Sequence, residues 1–278
     1  MTNEEQVERW NGDSGERWVS HQELIDRAIE PFGERALERL GVRRGAHVIE
    51  VGCGTGTTVL ALAEAVGPPG HVLGLDVSEP MLARARERTA HLSNAELLCA
   101  DASGHGFSAE FDALFSRFGV MFFDRPAHAF SNLRTGLRPG APLTFVCWQA
   151  LEQNDWVWKP LQVMLPLLDE RPPAPEARAP GPFAFADSDY LRDQLLAAGY
   201  VDVEIEDLRA PVTMSCTGVS KAVEFCLRIG PGARVVDTQS PAVQEQIRAG
   251  LTGLFAEFED DGEVALGGAA WLVSARNA

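Results

Sequence analysis

Cysteine and histidine are sparse in this sequence, and their placement excludes several kinds of protein. The five cysteines are odd in number, lie far apart and include no C-x-x-C pair, which argues against a disulfide framework and a zinc knuckle. The six histidines are scattered and form no H-x-x-x-H pair, so we predict no metal site. A chain of this kind is expected in the reducing cytoplasm.

Basic residues and long apolar runs are also scarce. The sequence has 24 Lys and Arg residues against 40 Asp and Glu residues, and its formal net charge of −16 repels nucleic-acid phosphates and anionic membrane surfaces. Its first ten residues, MTNEEQVERW, are acidic and lack the apolar stretch of a signal peptide. No apolar run reaches the roughly 18 residues of a transmembrane helix. We therefore expect a soluble chain with no nucleic-acid and no membrane partner.

What the sequence does contain is an alternation of short apolar runs and helical patterns between residues 46 and 148, which is typical of βαβ units. A helix over Thr57–Val66 is ended by the run GPPG, and Ser78 is placed to cap the next helix. Five strands imply a doubly wound α/β core. They are predicted at His47–Val51, His71–Leu75, Ala95–Cys99, Phe111–Phe115 and Leu143–Trp148.

The segments around this core suggest coverings of helix and loop. We divide the chain into an N-terminal helical cap (1–41), a core that would bind a ligand (42–150), an irregular and helical insertion (151–188) and a C-terminal part of the core (189–278) with a helical insertion at about 217–260. Residues 169–186 are rich in proline and alanine and predict an irregular connection. Strands are expected at Val201–Leu208 and Ala270–Ala275, with a tight turn at Gly267-Gly268.

A glycine-rich turn follows the first predicted strand, in the sequence VIEVGCGTG that ends at Gly56. Closely spaced glycines between a strand and a helix bring bare backbone amides up to a ligand, because any side chain there would hold the ligand away. The dinucleotide fingerprint is G-x-G-x-x-G, whereas Gly52, Gly54 and Gly56 are spaced as G-x-G-x-G. Glu50 inside the strand also disfavours a pyrophosphate, so the pattern indicates a cationic or zwitterionic ligand and not NAD.

Two further acids follow the next two predicted strands. Asp76 ends the second strand, 20 residues after Gly56, where a carboxylate can accept hydrogen bonds from both hydroxyls of a ribose. Asp101 follows the third strand, where it can accept a hydrogen bond from a donor such as the exocyclic amine of adenine. We expect Glu50, Asp76 and Asp101 to form one rim at the carboxyl ends of the strands.

At these positions the chain resembles the class I S-adenosylmethionine-dependent methyltransferases. The run EVGCGTG matches the glycine-rich first motif of that family, GLDVS its acidic second motif and LCADA the loop near adenine. The resemblance covers about residues 40–150, and it implies an α/β fold with a doubly wound, seven-stranded Rossmann-like sheet, mostly parallel with an antiparallel last strand, under helical caps. The runs SRFGVMFFDRP and WNG…W most resemble the branch that includes ubiquinone and menaquinone biosynthesis methyltransferases.

The resemblance also implies the residues that would bind S-adenosyl-L-methionine and its product S-adenosyl-L-homocysteine. The glycine turn would wrap the methionine part, and Asp76 would hold the ribose. Cys53 is expected to contribute its backbone and not a reactive thiol, because no base is evident near it. The implied cofactor residues are Trp18, Glu50, Gly52, Cys53, Gly54, Gly56, Asp76, Val77, Met81, Asp101, Ala102, Ser116 and Arg117.

An aromatic and apolar wall is expected for the methyl acceptor. Ring faces attract a sulfonium as they attract other cations, although packing is the commoner role of such residues. The candidate acceptor residues are Phe118, Met121, Phe122, Trp148 and Trp156. No catalytic residue is identified, and the weak candidates for a proton acceptor are His21 and His128.

The hypothesis is an enzyme that transfers a methyl group from S-adenosylmethionine to an O, N or C nucleophile of a small metabolite, as a monomer or homodimer. Proximity and exclusion of water would supply most of the catalysis, and residues 1–30 would close over the cofactor. The alternatives are methylation of a peptide or protein, an NAD-dependent oxidoreductase, whose glycine spacing is missing, and a cofactor-binding regulator, which would lack an enclosed acceptor chamber.

Overall fold

The computed structural model describes residues 3–168, 176–229, 236 and 238–278, and its centre is one mixed sheet. The strand order is β3-β2-β1-β4-β5-β8-β6, with the short β7 paired to β8. Strands β1 to β5 run parallel, and β8 lies antiparallel between β5 and β6. The strands are β1 (His47–Val51), β2 (His71–Asp76), β3 (Ala95–Cys99), β4 (Ala113–Arg117), β5 (Pro142–Trp148), β6 (Tyr200–Ser215), β7 (Glu259–Asp260) and β8 (Glu263–Asn277).

Helices cover both faces of this sheet, which is why the central strands are continuous apolar runs without alternation. Four consecutive residues of β1, Val48 to Val51, are buried. The described helices are α1 (Asn3–Asn11), α2 (Asp13–Ser20), α3 (Gln22–Leu40), α4 (Thr57–Val66), α5 (Glu79–Thr89), α6 (Pro126–Thr135), α7 (Asp155–Met164), α8 (Ser188–Ala197), α9 (Val219–Ile229) and α10 (Pro241–Ala256). The predicted doubly wound fold with an antiparallel last strand is confirmed.

The direction in which successive strands are added to the sheet reverses between β1 and β4. From β1 the strand order runs outward through β2 and β3 on one side, and through β4 and β5 on the other. Loops that leave the carboxyl ends of β1 and β4 therefore diverge and open a crevice, the usual ligand site of doubly wound sheets. The glycine turn leaves β1 at this position.

The predicted N-terminal helical cap over residues 1–41 consists of three helices, α1 to α3. The third, α3, carries Ile25, Ala28, Ile29 and Phe32 at helical spacing, and all four are buried in the core. Because α3 packs on β4, β5 and β6, it belongs to the core and not to a movable lid. The predicted closing segment is therefore reduced to α1 and α2.

The predicted tight turn at Gly267-Gly268 is wrong, since both glycines lie inside β8. A Cβ atom at Gly268 would lie 2.7 Å from a methyl carbon of Val212 and 2.8 Å from the ring of Phe32, so close packing explains this glycine. The actual turn is Asp261-Gly262, whose φ angles of 47° and 82° suit a two-residue hairpin between β7 and β8.

Other predicted boundaries shift by a few residues. The fourth strand begins at Ala113, because Phe111 forms only an isolated bridge with Leu137. Ser78 caps α5 as predicted, accepting a hydrogen bond from the backbone N–H of Met81. Of the predicted irregular connection, 169–175 lie outside the described residues, and 176–186 form turns without a helix or strand. Within the described parts of the chain, no helix is long and apolar enough to cross a membrane.

Candidate functional site

A cavity of about 420 Å³ opens above the reversal point, between the sheet and the N-terminal helices. This volume falls in the range of roughly 300–1,000 Å³ that is usual for small-ligand pockets. Most of the predicted site residues meet there. Those that line the cavity are Trp18, Gly52, Cys53, Gly54, Asp76, Val77, Met81, Asp101, Ala102, Arg117, Phe118, Met121, Phe122, Trp148 and Trp156.

The glycine turn reaches this cavity in a conformation that side chains resist. Gly52 and Gly54 have φ angles of 70° and 53°, in the left-handed region that favours glycine. A Cβ at Gly52 would lie 2.8 Å from the Cα of Gly119, and one at Gly54 would lie 2.9 Å from the terminal methyl of Met81. The turn therefore presents bare backbone to the cavity.

Asp76 is fixed by backbone hydrogen bonds from the glycine turn after β1 and from the loop after β2. Its Oδ2 accepts a hydrogen bond of 2.8 Å from the N–H of Gly54, and its Oδ1 accepts one of 2.9 Å from the N–H of Ser78. Burial raises the pKa of Asp76, although these backbone donors oppose the shift. The second strand end is thereby tied to the glycine turn with one edge of the carboxylate toward the cavity.

Three predicted cofactor residues, Glu50, Gly56 and Ser116, do not line the cavity. Thr58 donates a hydrogen bond to the carboxylate of Glu50, which is fully buried behind the glycine turn. A Cβ at Gly56 would lie 3.1 Å from the Cβ of Ala85, so this glycine serves the packing of α4 against α5. The prediction that these three residues contact the cofactor directly is therefore corrected, because they support the residues that line the cavity and do not line it themselves.

Ser116 supports the loop that follows β4. Its hydroxyl donates a hydrogen bond of 2.8 Å to the carbonyl of Val51 and accepts one of 3.2 Å from the N–H of Gly119. The residue thus joins the ends of β1 and β4, the two strands that flank the crevice. These two hydrogen bonds hold the cavity walls that follow β1 and β4 at a fixed separation.

Glu50 is held with a proton at neutral pH. Burial raises its pKa to about 8, against the lowering effects of the Thr58 hydrogen bond and the charge of Arg117. Its Oε2 atom has no hydrogen-bond partner among the described residues. Cys53, in the same turn, also has a pKa well above the ordinary thiol value because it is buried, so it is a protonated thiol and not a nucleophile.

Asp26 of α3 does not line the cavity but holds Arg117, which does, and the sequence analysis missed it. Its carboxylate accepts hydrogen bonds from Arg117 at 2.9 Å, from Arg88 at 3.3 Å, and from Gln22 and Thr57. Burial opposes the ionisation of Asp26, but the charge of Arg117 and the hydrogen bonds outweigh it and lower its pKa. The signal available in the sequence was a single acidic residue on the otherwise apolar face of α3, which indicates a buried partner of opposite charge.

Helix α1 closes the end of the cavity near Asp101, through two residues that the sequence analysis also missed. Asn3 donates a hydrogen bond to the Asp101 carboxylate, which also accepts 2.8 Å and 2.7 Å hydrogen bonds from the N–H and hydroxyl of Ser103. Gln6, one turn later, is only 3% exposed and lines the cavity, and neither amide atom has a partner among the described residues. The polar composition of α1 gave no signal for either residue.

The end of the cavity beyond β4 is aromatic. Phe118 stacks on Trp148 with ring centroids 4.1 Å apart, and Trp148 contacts Trp156 at 5.3 Å. Trp10 contacts Phe122 edge to face at 5.3 Å. Phe118 has a left-handed φ of 60°, a conformation that costs a non-glycine residue about 1–3 kcal/mol and is concentrated at functional sites.

Neither histidine candidate lines the cavity. His128 is exposed on α6, and the Nδ1 atom of His21 lies 2.9 Å from the carbonyl of Arg17, on an outer groove. Because a proton acceptor must reach the reacting atom directly or through one water, this geometry gives neither residue a direct role. No histidine, lysine, glutamate or tyrosine is found among the described residues that line the cavity.

Comparison with known proteins places these features in a family. A family model described as a methyltransferase domain matches residues 48–140, from β1 to the turn before β5. The demethylmenaquinone methyltransferase of Staphylococcus carnosus (strain TM300) is 30% identical over 189 residues, which cover 64% of this chain and 78% of that protein. The corresponding protein of Staphylococcus aureus (strain JH9) is 33% identical over 132 residues, or 47% of this chain and 54% of that protein.

Solved structures show the same fold at low sequence identity. A phosphoethanolamine N-methyltransferase 2 from Haemonchus contortus in complex with S-adenosyl-L-methionine aligns with a TM-score of 0.55 at 15% identity, covering 91% of this chain and 56% of that one. The YcgJ protein of Bacillus subtilis aligns with a TM-score of 0.55 at 14% identity, covering 90% and 97%.

Proposed function

The chain belongs to the class I S-adenosylmethionine-dependent methyltransferases, and on that premise we propose that it methylates a small metabolite with an aromatic or otherwise apolar body. The single observation that carries the proposal is that one cavity is lined both by the predicted cofactor residues and by the predicted acceptor residues. The glycine turn and Asp76 line one end of it, and the stacked Phe118 and Trp148 line the other. One enclosed space thus offers a cofactor end and an acceptor end.

The residues at the cofactor end fit S-adenosylmethionine. Gly52 and Gly54 leave the backbone bare where a Cβ would collide with its surroundings, and Asp76 offers a fixed acceptor for hydroxyl groups. The unpartnered amide of Gln6 has a donor and an acceptor that a bound ligand would satisfy. When bound, the cofactor supplies an activated methyl group on a positively charged sulfur.

The chain's own contribution is to bind, orient and keep out water. Helices α1 and α2 dock on the core through the hydroxyl of Ser78, which donates a hydrogen bond of 2.6 Å to the carbonyl of Trp10. Asn11 donates a hydrogen bond of 2.8 Å to the carbonyl of Val77. These bonds hold the cap over the crevice, where exclusion of water and correct orientation favour methyl transfer.

The acceptor would need little help from the protein to lose a proton. The carboxylates among the described lining residues are those of Asp76 and Asp101, and both accept hydrogen bonds at the cofactor end. We therefore propose an acceptor whose O, N or C nucleophile is reactive without a strong general base, such as an acidic hydroxyl or an amine.

The proposal is tested by incubating the protein with methyl-labelled S-adenosylmethionine and a metabolite extract, followed by mass spectrometry. We expect labelled small molecules that are absent when Gly54→Val protein is used. Calorimetry with S-adenosylhomocysteine on the same two proteins identifies the cause of a negative result. Failure of the wild-type protein to bind this product at millimolar concentration would exclude the function, whereas binding without any labelled product would favour a non-catalytic role.

A further inference from the structure

The side chain of Gln6 is buried in the cavity wall without a hydrogen-bond partner. Gln6 is 3% exposed and lines the cavity, and neither its amide nitrogen nor its amide oxygen has a partner among the described residues. A buried amide without partners destabilises a folded protein, so such a group needs a specific explanation. The cavity supplies one, because a molecule bound there would satisfy both atoms.

Two contacts fix the position of Gln6 along the edge of the sheet. Asn3, one turn before it on α1, donates a hydrogen bond to the carboxylate of Asp101 in the loop after β3. Trp10, one turn after it, accepts a hydrogen bond of 2.6 Å at its carbonyl from the hydroxyl of Ser78 in the loop after β2. Positions three and four residues apart share one face of a helix. Gln6 therefore lies above the space between the ends of β2 and β3.

A nucleoside cofactor that lies across these strands has its base at the same place. The strand order is β3-β2-β1, the glycine turn follows β1, and Asp76, the predicted ribose acceptor, ends β2. The part of S-adenosylmethionine beyond the ribose is adenine, so it lies toward β3. Val77, Met81 and Ala102 line the cavity beside these loops and offer apolar contacts to the faces of a flat ring.

Asp101, the acid predicted to recognise this base, is largely occupied by other donors. Its carboxylate accepts hydrogen bonds of 2.8 Å and 2.7 Å from the N–H and hydroxyl of Ser103, and a further one from Asn3. An ionised carboxylate accepts about four hydrogen bonds, so little capacity is left for a ligand. What Asp101 does in this structure is hold the first turn of α1 in place.

The amide of Gln6 is complementary to the edge of adenine. Adenine carries an amino group, which donates, next to a ring nitrogen, which accepts. A glutamine amide has an acceptor and a donor at matching spacing and pairs with such an edge by two hydrogen bonds. Because neither amide atom of Gln6 has a partner among the described residues, the amide is free to turn its oxygen toward the amine and its nitrogen toward the ring.

We propose that Gln6 binds the adenine edge of the cofactor, and that Asp101 acts as a positioning residue that holds α1 through Asn3. This inference rests on the proposed function, since it assigns a further binding residue to the same site. It extends the cofactor site beyond residues 48–140, which match the family model, into the N-terminal helix. Helix α1 is then part of the cofactor site and not only its cover.

The experiment titrates two probes into the full-length protein at pH 7 by calorimetry. They are S-adenosylhomocysteine and S-inosylhomocysteine, in which a carbonyl oxygen replaces the amino group of the base. We expect wild type to bind the adenosyl probe at least about tenfold more tightly, because the inosyl probe turns an acceptor toward the amide oxygen. Gln6→Met has a side chain of similar length and should weaken only the adenosyl probe, which reduces the preference at least about fivefold.

Asn11→Ala is the matched control on the same helix. Asn11 docks α1 by donating a hydrogen bond to the carbonyl of Val77 and accepting one from the N–H of Glu79. Its loss should weaken both probes alike and keep their ratio. Thermal unfolding without ligand gives a second readout. Gln6→Met should have a Tm at least equal to that of wild type, because an apolar side chain replaces a buried amide that has no partner.

Equal binding of the two probes by wild type, or a preference that survives in Gln6→Met, would overturn the inference. A lower Tm of ligand-free Gln6→Met would also overturn it, since the amide would then be engaged within the protein. If S-adenosylhomocysteine binds and Gln6→Met leaves the preference intact, the proposed function stands and only the role of Gln6 is wrong. If neither probe binds wild type at millimolar concentration, the proposed function fails together with the inference. If the preference depends on Gln6 but no methylated product forms, recognition of the base stands and methyl transfer fails.

Discussion

Arg117 at the end of β4 and Asp26 of α3 form an ion pair in which the guanidinium Nη2 lies 2.9 Å from the carboxylate Oδ1. Their side chains are only 10% and 12% exposed. Gly33, two turns later on the same face of α3, makes room for the arginine, because a Cβ there would lie 2.9 Å from the Arg117 Cδ. The pair joins the N-terminal helices to a wall of the cavity.

Asp26→Asn should destabilise the fold at pH 7 by about 3–5 kcal/mol, since it leaves a nearly buried guanidinium without its counter-charge. The pKa of Asp26 is lowered below 3.8 in the folded state, so its ionised form stabilises the fold above the unfolded pKa. That contribution disappears as the pH falls through the folded pKa. Urea unfolding of wild type and variant between pH 7 and pH 3 should therefore show a gap that narrows below about pH 4.

The exposed pair Arg35 and Glu38, 2.7 Å apart, provides the control. Glu38→Gln should change the free energy of unfolding by less than about 1 kcal/mol at any of these pH values. A gap for Asp26→Asn that stays constant down to pH 3 would contradict the electrostatic explanation.

Glu50 should make wild-type stability fall as the pH rises. Its folded-state pKa of about 8 lies above the unfolded value, so its contribution is complete below about pH 4.3 and is lost as the pH rises through 8. Glu50→Gln keeps the acceptor for Thr58 and removes this penalty. At about 1.4 kcal/mol per unit of pKa, the variant should be the more stable protein at pH 8 by at least about 2 kcal/mol. Equal stability of both proteins from pH 5 to pH 8 would show that Glu50 is ionised when buried.

Asp76→Ala should weaken binding of S-adenosylhomocysteine by about 1.5–3 kcal/mol, or roughly 10- to 150-fold in Kd. The loss has two sources, the missing acceptor for the ligand and the release of the glycine turn from its 2.8 Å hydrogen bond to Asp76. Asp112→Ala is the matched control. Asp112 accepts hydrogen bonds from the N–H of His47 and from Arg138 at the opposite end of the strands. Its loss should lower the Tm and leave the Kd measured by calorimetry unchanged.

Gly54→Val should abolish cofactor binding in a protein that still folds. The atom that a Cβ would meet is the flexible terminal methyl of Met81, 2.9 Å away, so the core can adjust while the added side chain covers the bare backbone. Gly140→Val carries a similar left-handed strain, with a φ of 75°, and has no heavy atom within 4 Å of the added Cβ. Circular dichroism should show both variants folded. Normal ligand affinity in Gly54→Val would refute the close approach of backbone and ligand.

Deletion of residues 1–20 should leave a folded core whose affinity for S-adenosylhomocysteine is reduced at least about tenfold, equivalent to about 1.4 kcal/mol. The deletion removes Gln6, Trp10 and Trp18 from the cavity but keeps α3. Deletion of residues 1–30 should instead unfold the protein, because Ile25 and Ile29 are in the core. Thermal unfolding and calorimetry test both truncated proteins. Full affinity after the shorter deletion would mean that α1 and α2 only pack against the core.

The sheet, the glycine turn and the acids at the strand ends could all be predicted from the sequence. A buried parallel strand is a continuous apolar run, and β1 is one. After Gly56 the apolar residues recur at helical spacing, which marks the start of α4. Both signals come from residues that are neighbours in the sequence. Because the carboxyl ends of parallel strands lie at the same edge of a sheet, Asp76 and Asp101 could be assigned to one edge without coordinates.

Which side chains meet above that edge depends on the tertiary structure. Asp26 and Arg117 are 91 residues apart, and Asn3 and Asp101 are 98 apart, so no local pattern connects them. It also decided that Glu50 is turned away from the cavity, since alternation along a strand buried on both faces does not distinguish one covered side from the other. Gly267 and Gly268 illustrate the same limit, because a glycine required by close packing and a glycine required by a turn are identical in sequence.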